Sequence, residues 1–385
     1  MQFLKLGLTS FGGPLVHMAI FRQVFVEKKA WFSEQQFSQW ILLTQFMPGP
    51  SSSQLGFLIG YQRGGWQGAI AAFIGFTLPS ALIMVFFALG VFGLLGLDSA
   101  LQSALAGLVI LAAALLIQAS WQMGRKFCQG LFLKGVALFS ALLLVLIPHP
   151  LTMIGLLLFL ALSASGFKHA LKLKDIAQTA HHDTENWRIP TKVQAQFLLL
   201  FVLSLLILFP LLALSVSEIR LVDSLYRAGA LVWGGGQVVL PYLYFDFVES
   251  GVMDAEVFLS GYALAQSLPG PMFSFATYLG ALIGGGWGAL LATLAIFLPG
   301  LLLIIGILPY YRWLITQPAI QAGLLMLQAG LVGLLISVLI TPVLPLALTQ
   351  WAHAGLLALN LIWLMQFKQS LFWLIPFNLG FIALF

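Results

Sequence analysis

The chain has 385 residues, 61% of them hydrophobic and only 8% charged, with a mean hydropathy of +1.01. A soluble globular protein carries about 25% charged residues, so this chain cannot clothe a water-facing surface and reads as an all-α polytopic membrane protein solvated by a lipid bilayer. Its net charge of +5 is too thinly scattered to argue for a nucleic-acid partner, and its single cysteine, Cys128, excludes an intramolecular disulfide and a Cys-based metal cluster.

In chain order, the start "MQFLKLGLTSFGGP" has no clean apolar core ahead of a small-residue cleavage site and reads as part of the fold, not as a signal peptide. Residues 1–26 are expected to dip into the membrane and turn at "SFGGP". Residues 34–62 contain "TQFMPGPSSSQLG", where a helix would lose backbone bonds at Pro48 and Pro50. Lys28, Lys29 and Arg63 flank this element on both sides, and basic loops face the cytoplasm. An element that enters and leaves on one face is a re-entrant hairpin, with PGP at its tip. A span needs about 20 apolar residues, and spans are expected at 66–96 and 98–124, the second followed by Arg125, Lys126 and Lys134.

The hydrophilic stretch 167–196 holds five of the 17 basic residues and three acidic ones. It sets the expected organisation: an N-terminal repeat 1–166, a cytoplasmic linker 167–194, an extra transmembrane helix 195–217 and a C-terminal repeat 218–385. The pair His181–His182 reads as solvated loop, since no third and fourth ligand sits at useful spacing. No metal or cofactor is expected.

The second half repeats the first. "LKLGLTSFGGP" returns as "YRAGALVWGGG" 222 residues later, "QFMPGP" as "QSLPGP" at 221, and "GYQRGGWQGAI" as "GALIGGGWGAL" at 220, followed by Leu78–Pro79 against Leu298–Pro299. The charges are exchanged. Where the first copy has Arg22, Lys28 and Lys29, the second has Asp246, Glu249, Asp254 and Glu256; conversely Arg312 and Lys368 stand where the first has Asp98 and His149. Equivalent loops therefore face opposite sides, giving two inverted-topology repeats, a recurring transporter plan. Each repeat would hold two re-entrant or broken segments and about four spanning helices. The run "GGGWGALLA" (284–292) reads as close helix packing, and Trp31, Trp66, Trp121, Trp187 and Trp351 as interfacial anchors.

Irregular backbone at membrane depth survives only where it is buried in protein or lines a cavity. A half-helix starting at Pro50 offers free amides on Ser51, Ser52 and Ser53 and the positive end of its dipole, which favours an anion. Gln45, Pro48, Gly49 and Gln54 complete this tip. The first tip supplies Thr9, Ser10, Phe11, Gly12, Gly13 and Pro14; the second copy supplies Gly234, Gly235, Gly236 and Gln237, then Gln266, Pro269, Gly270, Pro271 and Ser274. Four tips rich in amides and hydroxyls suit a compact tetrahedral oxyanion. Candidate charge or coupling residues are Lys5, His17, Arg22, Arg63 and Arg227, with a packed His17 and an interfacial Arg63 as the structural alternatives. Glu34 and Glu256 are placed at helix starts.

"SFGGP", Trp31–Ser33–Phe37, "Q-x-x-PGP" and Gly60–Gly68 in "G-x-x-x-GG-x-x-G" together resemble the chromate ion transporter family, in its long two-domain form. The resemblance implies export of chromate giving resistance, with sulfate as the structural analogue, across a bacterial inner membrane. The second copy departs from the pattern with "WGGGQ" for "FGGP" and "PGPMFS" for "PGPSSS", so the first copy is expected to make more of the anion contacts. A passive oxyanion channel and a carrier for sulfate or another oxyanion are the alternatives. An intramembrane enzyme is disfavoured, because neither H-E-x-x-H nor a nucleophile beside a base occurs. ATP-driven transport by this chain alone is disfavoured by the lack of a G-x-x-x-x-G-K-[ST] loop. Homo-oligomer formation is left open.

Overall fold

The structure is a computed structural model that describes residues 1–91, 99–167, 187–214, 219–233, 235–366 and 373–382. Asp98, His181–His182, Gly234, Lys368 and most of the linker lie outside the described residues. In chain order the main helices are α1 (Gln2–Thr9), α2 (Gly13–Arg22), α3 (Glu34–Phe46), α4 (Ser51–Val85), α5 (Ser99–Phe127), α6 (Leu131–Leu146), α7 (Pro150–Ser163) and α8 (Lys192–Ala213). They continue as α9 (Arg220–Leu231), α10 (Ala255–Ser267), α11 (Phe275–Gly306), α12 (Tyr311–Thr316), α13 (Pro318–Val338), α14 (Trp351–Gln366) and α15 (Leu374–Ile382). Among the described residues every regular element is helical, and five runs are long and apolar enough to cross a membrane. The protein is an all-α, multi-pass membrane protein.

Two compact units emerge, and each is drawn from both halves of the sequence. The first comprises Met1–Leu94, Ile176–Val239 and Leu268–Thr316; the second comprises Leu95–Asp175, Leu240–Ser267 and Gln317–Phe385.

In the first unit, α1 and α2 form a hairpin. The Phe3 ring lies 5.8 Å from Phe21 and 5.1 Å from Phe25, so the chain returns to where it began. A capping box starts α3: Ser33 Oγ accepts from the Gln36 amide and Gln36 Oε1 from the Ser33 amide, both at 3.2 Å. Glu34 stands in its first turn, as expected. From there α3 descends to the PGP break and the first arm of α4 climbs back, since the Arg63 guanidinium lies 5.3 Å from the Trp31 ring. Each arm is about 20 Å long at 1.5 Å per residue. Only antiparallel arms let their far ends meet.

The long run α4 is itself folded over. Gly64 (φ −140°, ψ 21°) and Gly65 (φ 61°, ψ −150°) reverse it, and Gly284 (φ −132°, ψ 22°) and Gly285 (φ 59°, ψ −147°) reverse α11 in the same way. The second of each pair occupies a region open essentially to glycine alone. Thus "GGGWGALLA" does more than pack helices: its first two glycines turn the chain, which corrects the sequence reading. Beyond each turn the arms close backbone to backbone. A Cβ on Gly60 would overlap the Gly68 carbonyl, and one on Gly280 the Gly288 carbonyl. Gly7 rests likewise on the carbonyls of Gly75 and Phe76, and Gly229 on that of Ile296. Small residues of this kind let membrane helices approach closely, where dispersion and not hydrophobicity holds them together.

On the outside of this unit, α8 starts from a second capping box, Thr191 with Gln194. Phe197, Leu200 and Leu203 are exposed along it, as lipid-facing side chains are. Trp66, Trp121 and Trp351 are exposed, fitting interfacial anchors, but Trp187 is buried between Trp40 and Tyr311 and is not one.

In the second unit α13 packs on α6, with Gly333 against the Ala137 carbonyl and Ser140, while Gly330 faces Leu160 of α7. Asn360 and Asn378, both fully buried, exchange amide hydrogen bonds of 2.7 and 2.9 Å and so fix α14 against α15. Cys128 is buried, as a small apolar side chain would be.

Gly229→Ala drives a methyl into a backbone carbonyl that cannot step aside, and overpacking typically costs 1–3 kcal/mol. The thermal unfolding midpoint in detergent is expected to fall. In contrast, Gly155→Ala meets nothing within 4 Å and should leave the midpoint unchanged or slightly raised.

Candidate functional site

Proline on both sides leaves one backbone donor at each PGP break, and each donor is used across the sequence halves. The Gly49 amide donates to the Val232 carbonyl at 2.7 Å, and the Gly270 amide donates to the Ser10 carbonyl at 2.9 Å. Each PGP tip is therefore held by the glycine-rich turn of the opposite half. Both glycines have positive φ, 115° and 102°, and both are pressed against a helix from the other half. A Cβ on Gly49 would stand 3.0 Å from the Gly300 Cα, and one on Gly270 would stand 2.8 Å from Ser80 Oγ. Gln54 reinforces the first contact by donating to the carbonyls of Pro48 at 2.7 Å and Gly300 at 3.0 Å. The Trp233 indole adds a bond of 3.2 Å to the Phe46 carbonyl. All four interruptions thus meet inside the first unit.

The donors gathered there can be counted bond by bond. The first intrahelical bond of α4 runs from the Gln54 amide to the Pro50 carbonyl, so the amides of Ser51, Ser52 and Ser53 have no acceptor within their helix. No side chain caps them. Helix α2 follows Gly12 (φ 104°), also without a side-chain cap. The second PGP break opens into a tight 3₁₀ turn, Met272–Ser274, whose Ser274 amide is taken by the Pro271 carbonyl. That turn is walled by Met272 against Gly236 and is less polar than the first. Three hydroxyls, Ser10 Oγ, Ser53 Oγ and Ser274 Oγ, are buried with no hydrogen-bond partner. Orphaned buried polar atoms are rare in native proteins, because each forgoes about 1–3 kcal/mol of lost hydration.

The remaining candidates fall into place around this core. Thr9 is exposed and turns its hydroxyl back to the Lys5 carbonyl. Phe11, Gly13 and Pro14 are half-buried and Gly12 is exposed, while Pro48, Gly49, Pro50, Pro269, Gly270 and Pro271 are buried. Gln237 reaches toward the first tip, its Nε2 4.0 Å from where a Gly13 Cβ would be and its Oε1 2.9 Å from a Cβ on Gly235. Gln45 is half-buried on α3, whereas Gln266 sits on α10 and belongs to the second unit. His17 is buried, with Nε2 3.1 Å from the Ser10 carbonyl, so it is the packed histidine of the two readings and supports the acceptor that Gly270 uses.

Of the four basic candidates, two stand at hairpin mouths, one is exposed on α1 and one pairs with a carboxylate. Arg22 is exposed at the open end of its hairpin, bound to Glu34 at 2.7 Å and Glu27 at 2.9 Å. Arg63 lies over Trp31 at the mouth of the second hairpin, the interfacial position. Lys5 is exposed on α1. Arg227 pairs at 2.8 Å with Asp223, a buried carboxylate to which the sequence reading gave no role. Val232, Ser80 and Gly300 were also missed. The recurrence of Leu78–Pro79 as Leu298–Pro299 marked the neighbourhood of the last two, but backbone acceptors carry no side-chain signature.

Residues 1–165 and 219–384 match the family model described as chromate transporter. An uncharacterized transporter of Methanocaldococcus jannaschii is 28% identical, covering 96% of this chain and 89% of its own. A chromate transport protein of Pseudomonas aeruginosa is 27% identical over 87% of this chain and 78% of its own, and one of Cupriavidus metallidurans is 28% identical over 86% and 79%. No solved structure matches the chain.

Gln54→Leu roughly keeps the volume but removes the donor shared by the buried Pro48 and Gly300 carbonyls, at about 1–3 kcal/mol. A large drop in the thermal midpoint of purified protein is expected; an unchanged midpoint would show that the contact with Gly300 bears no stability.

Proposed function

Because the chain belongs to the chromate transporter family, a family of transporters and not of enzymes, we propose that it is a secondary transporter of divalent tetrahedral oxyanions. Chromate is the substrate, exported to give resistance across a bacterial inner membrane, and sulfate is the structural analogue. The reading is carried by one observation: Ser10, Ser53 and Ser274 are buried and unpaired at tips that meet in one unit. An oxyanion with four acceptor oxygens would supply what these hydroxyls lack. The uncapped amides of Ser51–Ser53 and the dipole of α4 would add partial positive charge without a fixed cation. A site of neutral donors replaces hydration while holding the anion loosely enough to release it. The more polar first PGP tip makes more of the contacts.

The two halves act as inverted repeats. In support, the Gly49–Val232 and Gly270–Ser10 bonds are reciprocal at offsets of 221 and 222 residues, the signature of a two-fold relation. Alternating access then follows as rocking about the joined tips. The basic ends of the α3 hairpin and the linker 167–194 lie in the cytoplasm.

Ser10→Ala, Ser53→Ala and Ser274→Ala separate binding from folding. Each removes an orphaned group, so the thermal midpoint should hold or rise. Meanwhile KM for chromate and sulfate in reconstituted vesicles should rise roughly tenfold or more, the value of a hydrogen bond to a charged partner. Unchanged KM in all three variants refutes the site. For topology, single cysteines at Lys29 and Glu249 are expected to label from opposite sides of intact cells; equal labelling from outside refutes the inversion.

A further inference from the structure

Between the mouth and the tip of the α3 hairpin stands a second group of orphaned donors. Trp40 lies on α3, Trp187 in the segment leading to α8, and Tyr311 at the start of α12, all within the first unit. The Trp187 ring is 5.9 Å from Trp40 and 5.2 Å from Tyr311. Their exposures are 1%, 7% and 2%, yet both indole N–H groups and the phenol O–H lack a hydrogen-bond partner. An indole N–H can only donate, so whatever satisfies this cluster is an acceptor.

The surroundings say which acceptor. Trp40 precedes Pro48 by about 12 Å of helix, and on its other side the hairpin opens at Trp31. There Arg63 lies 5.3 Å and Lys29 5.7 Å from the Trp31 ring. The Arg188 amide donates to Gln62 Oε1 at 2.6 Å and Gln62 Nε2 returns a bond of 3.0 Å to the Arg188 carbonyl, which sets the Arg188 guanidinium against Gly65. The nearby Glu27 and Glu34 are taken by Arg22, so the mouth keeps a positive balance. Such a mouth concentrates anions.

We propose that Trp40, Trp187 and Tyr311 form a second oxyanion subsite, a waiting station between the basic mouth and the serine-lined tips. It takes the same tetrahedral oxyanions, and so rests on the transport reading above. Its donors are neutral and come from three separate elements, so the anion is stripped of part of its water there before it reaches Ser53. Two sites in series allow capture without trapping, because occupancy of the first assists departure from the second.

Tyr311→Phe deletes only a donor, while Trp40→Phe and Trp187→Phe keep an aromatic ring but delete the donor together with part of the indole. In vesicles, KM for chromate and for sulfate is expected to rise about tenfold per lost donor with kcat within about twofold. Arg188→Gln should raise KM at low ionic strength and converge on the parent at high salt. A merely structural role would lower the amount of active protein without this split. Tyr311→Phe, the smallest change, decides the matter if a tryptophan variant does not fold. Unchanged KM in the phenylalanine variants, alongside raised KM in Ser10→Ala and Ser53→Ala, overturns the waiting station and spares the tip site. Unchanged KM in both series overturns both.

Discussion

Two backbone hydrogen bonds organise this protein: the Gly49 amide to the Val232 carbonyl, and the Gly270 amide to the Ser10 carbonyl. Each interruption would otherwise strand polar backbone in an apolar setting, where an unmet group costs several kcal/mol. The prolines reduce the donors at each break to one, and the opposite half accepts it. Everything else at the tips serves that closure, from the positive φ of the two glycines to the Gln54 clamp on Gly300.

Closure leaves a residue of unmet polarity, and the transport reading rests on it. The amides of Ser51–Ser53 and the hydroxyls of Ser10, Ser53 and Ser274 remain after the bonds are assigned. By contrast, Arg22 and Arg63 are placed at hairpin mouths, and Arg22 and Arg227 are paired with carboxylates. On the transport reading, fixed charge would attract at the edge and neutral donors would bind within. That division suits an anion that has to be released again.

Much of this was legible in the sequence because glycine and proline write backbone geometry directly. The recurrence of GG, PGP and GG-x-x-G at offsets of 220–222 located all four interruptions, and the charges around 34–62 predicted that both its ends lie together. What stayed hidden was of two kinds. The acceptors of the PGP amides are main-chain carbonyls of Val232 and Ser10, groups every residue owns, so no side chain announced them. Other residues had two physically sound uses. The glycines of 284–288 could pack or turn and divide the two uses, Gly284–Gly285 turning the chain and Gly288 packing on Gly280, and Trp187 could anchor at an interface but is buried under Trp40 and Tyr311. The compact units, each assembled from both halves, were likewise invisible to a reading that divides the chain at its hydrophilic linker.

The crossed amide bonds bear on how such a chain can be cut or built. Severed at the linker, each fragment would own one unmatched donor, at its PGP, and one unmatched acceptor, at its glycine turn, with the complement of both on the other piece. Neither fragment can seal itself. A half-length chain with one PGP break and one glycine turn would need a second molecule beside it, and joining the two in one polypeptide guarantees that partner at every synthesis.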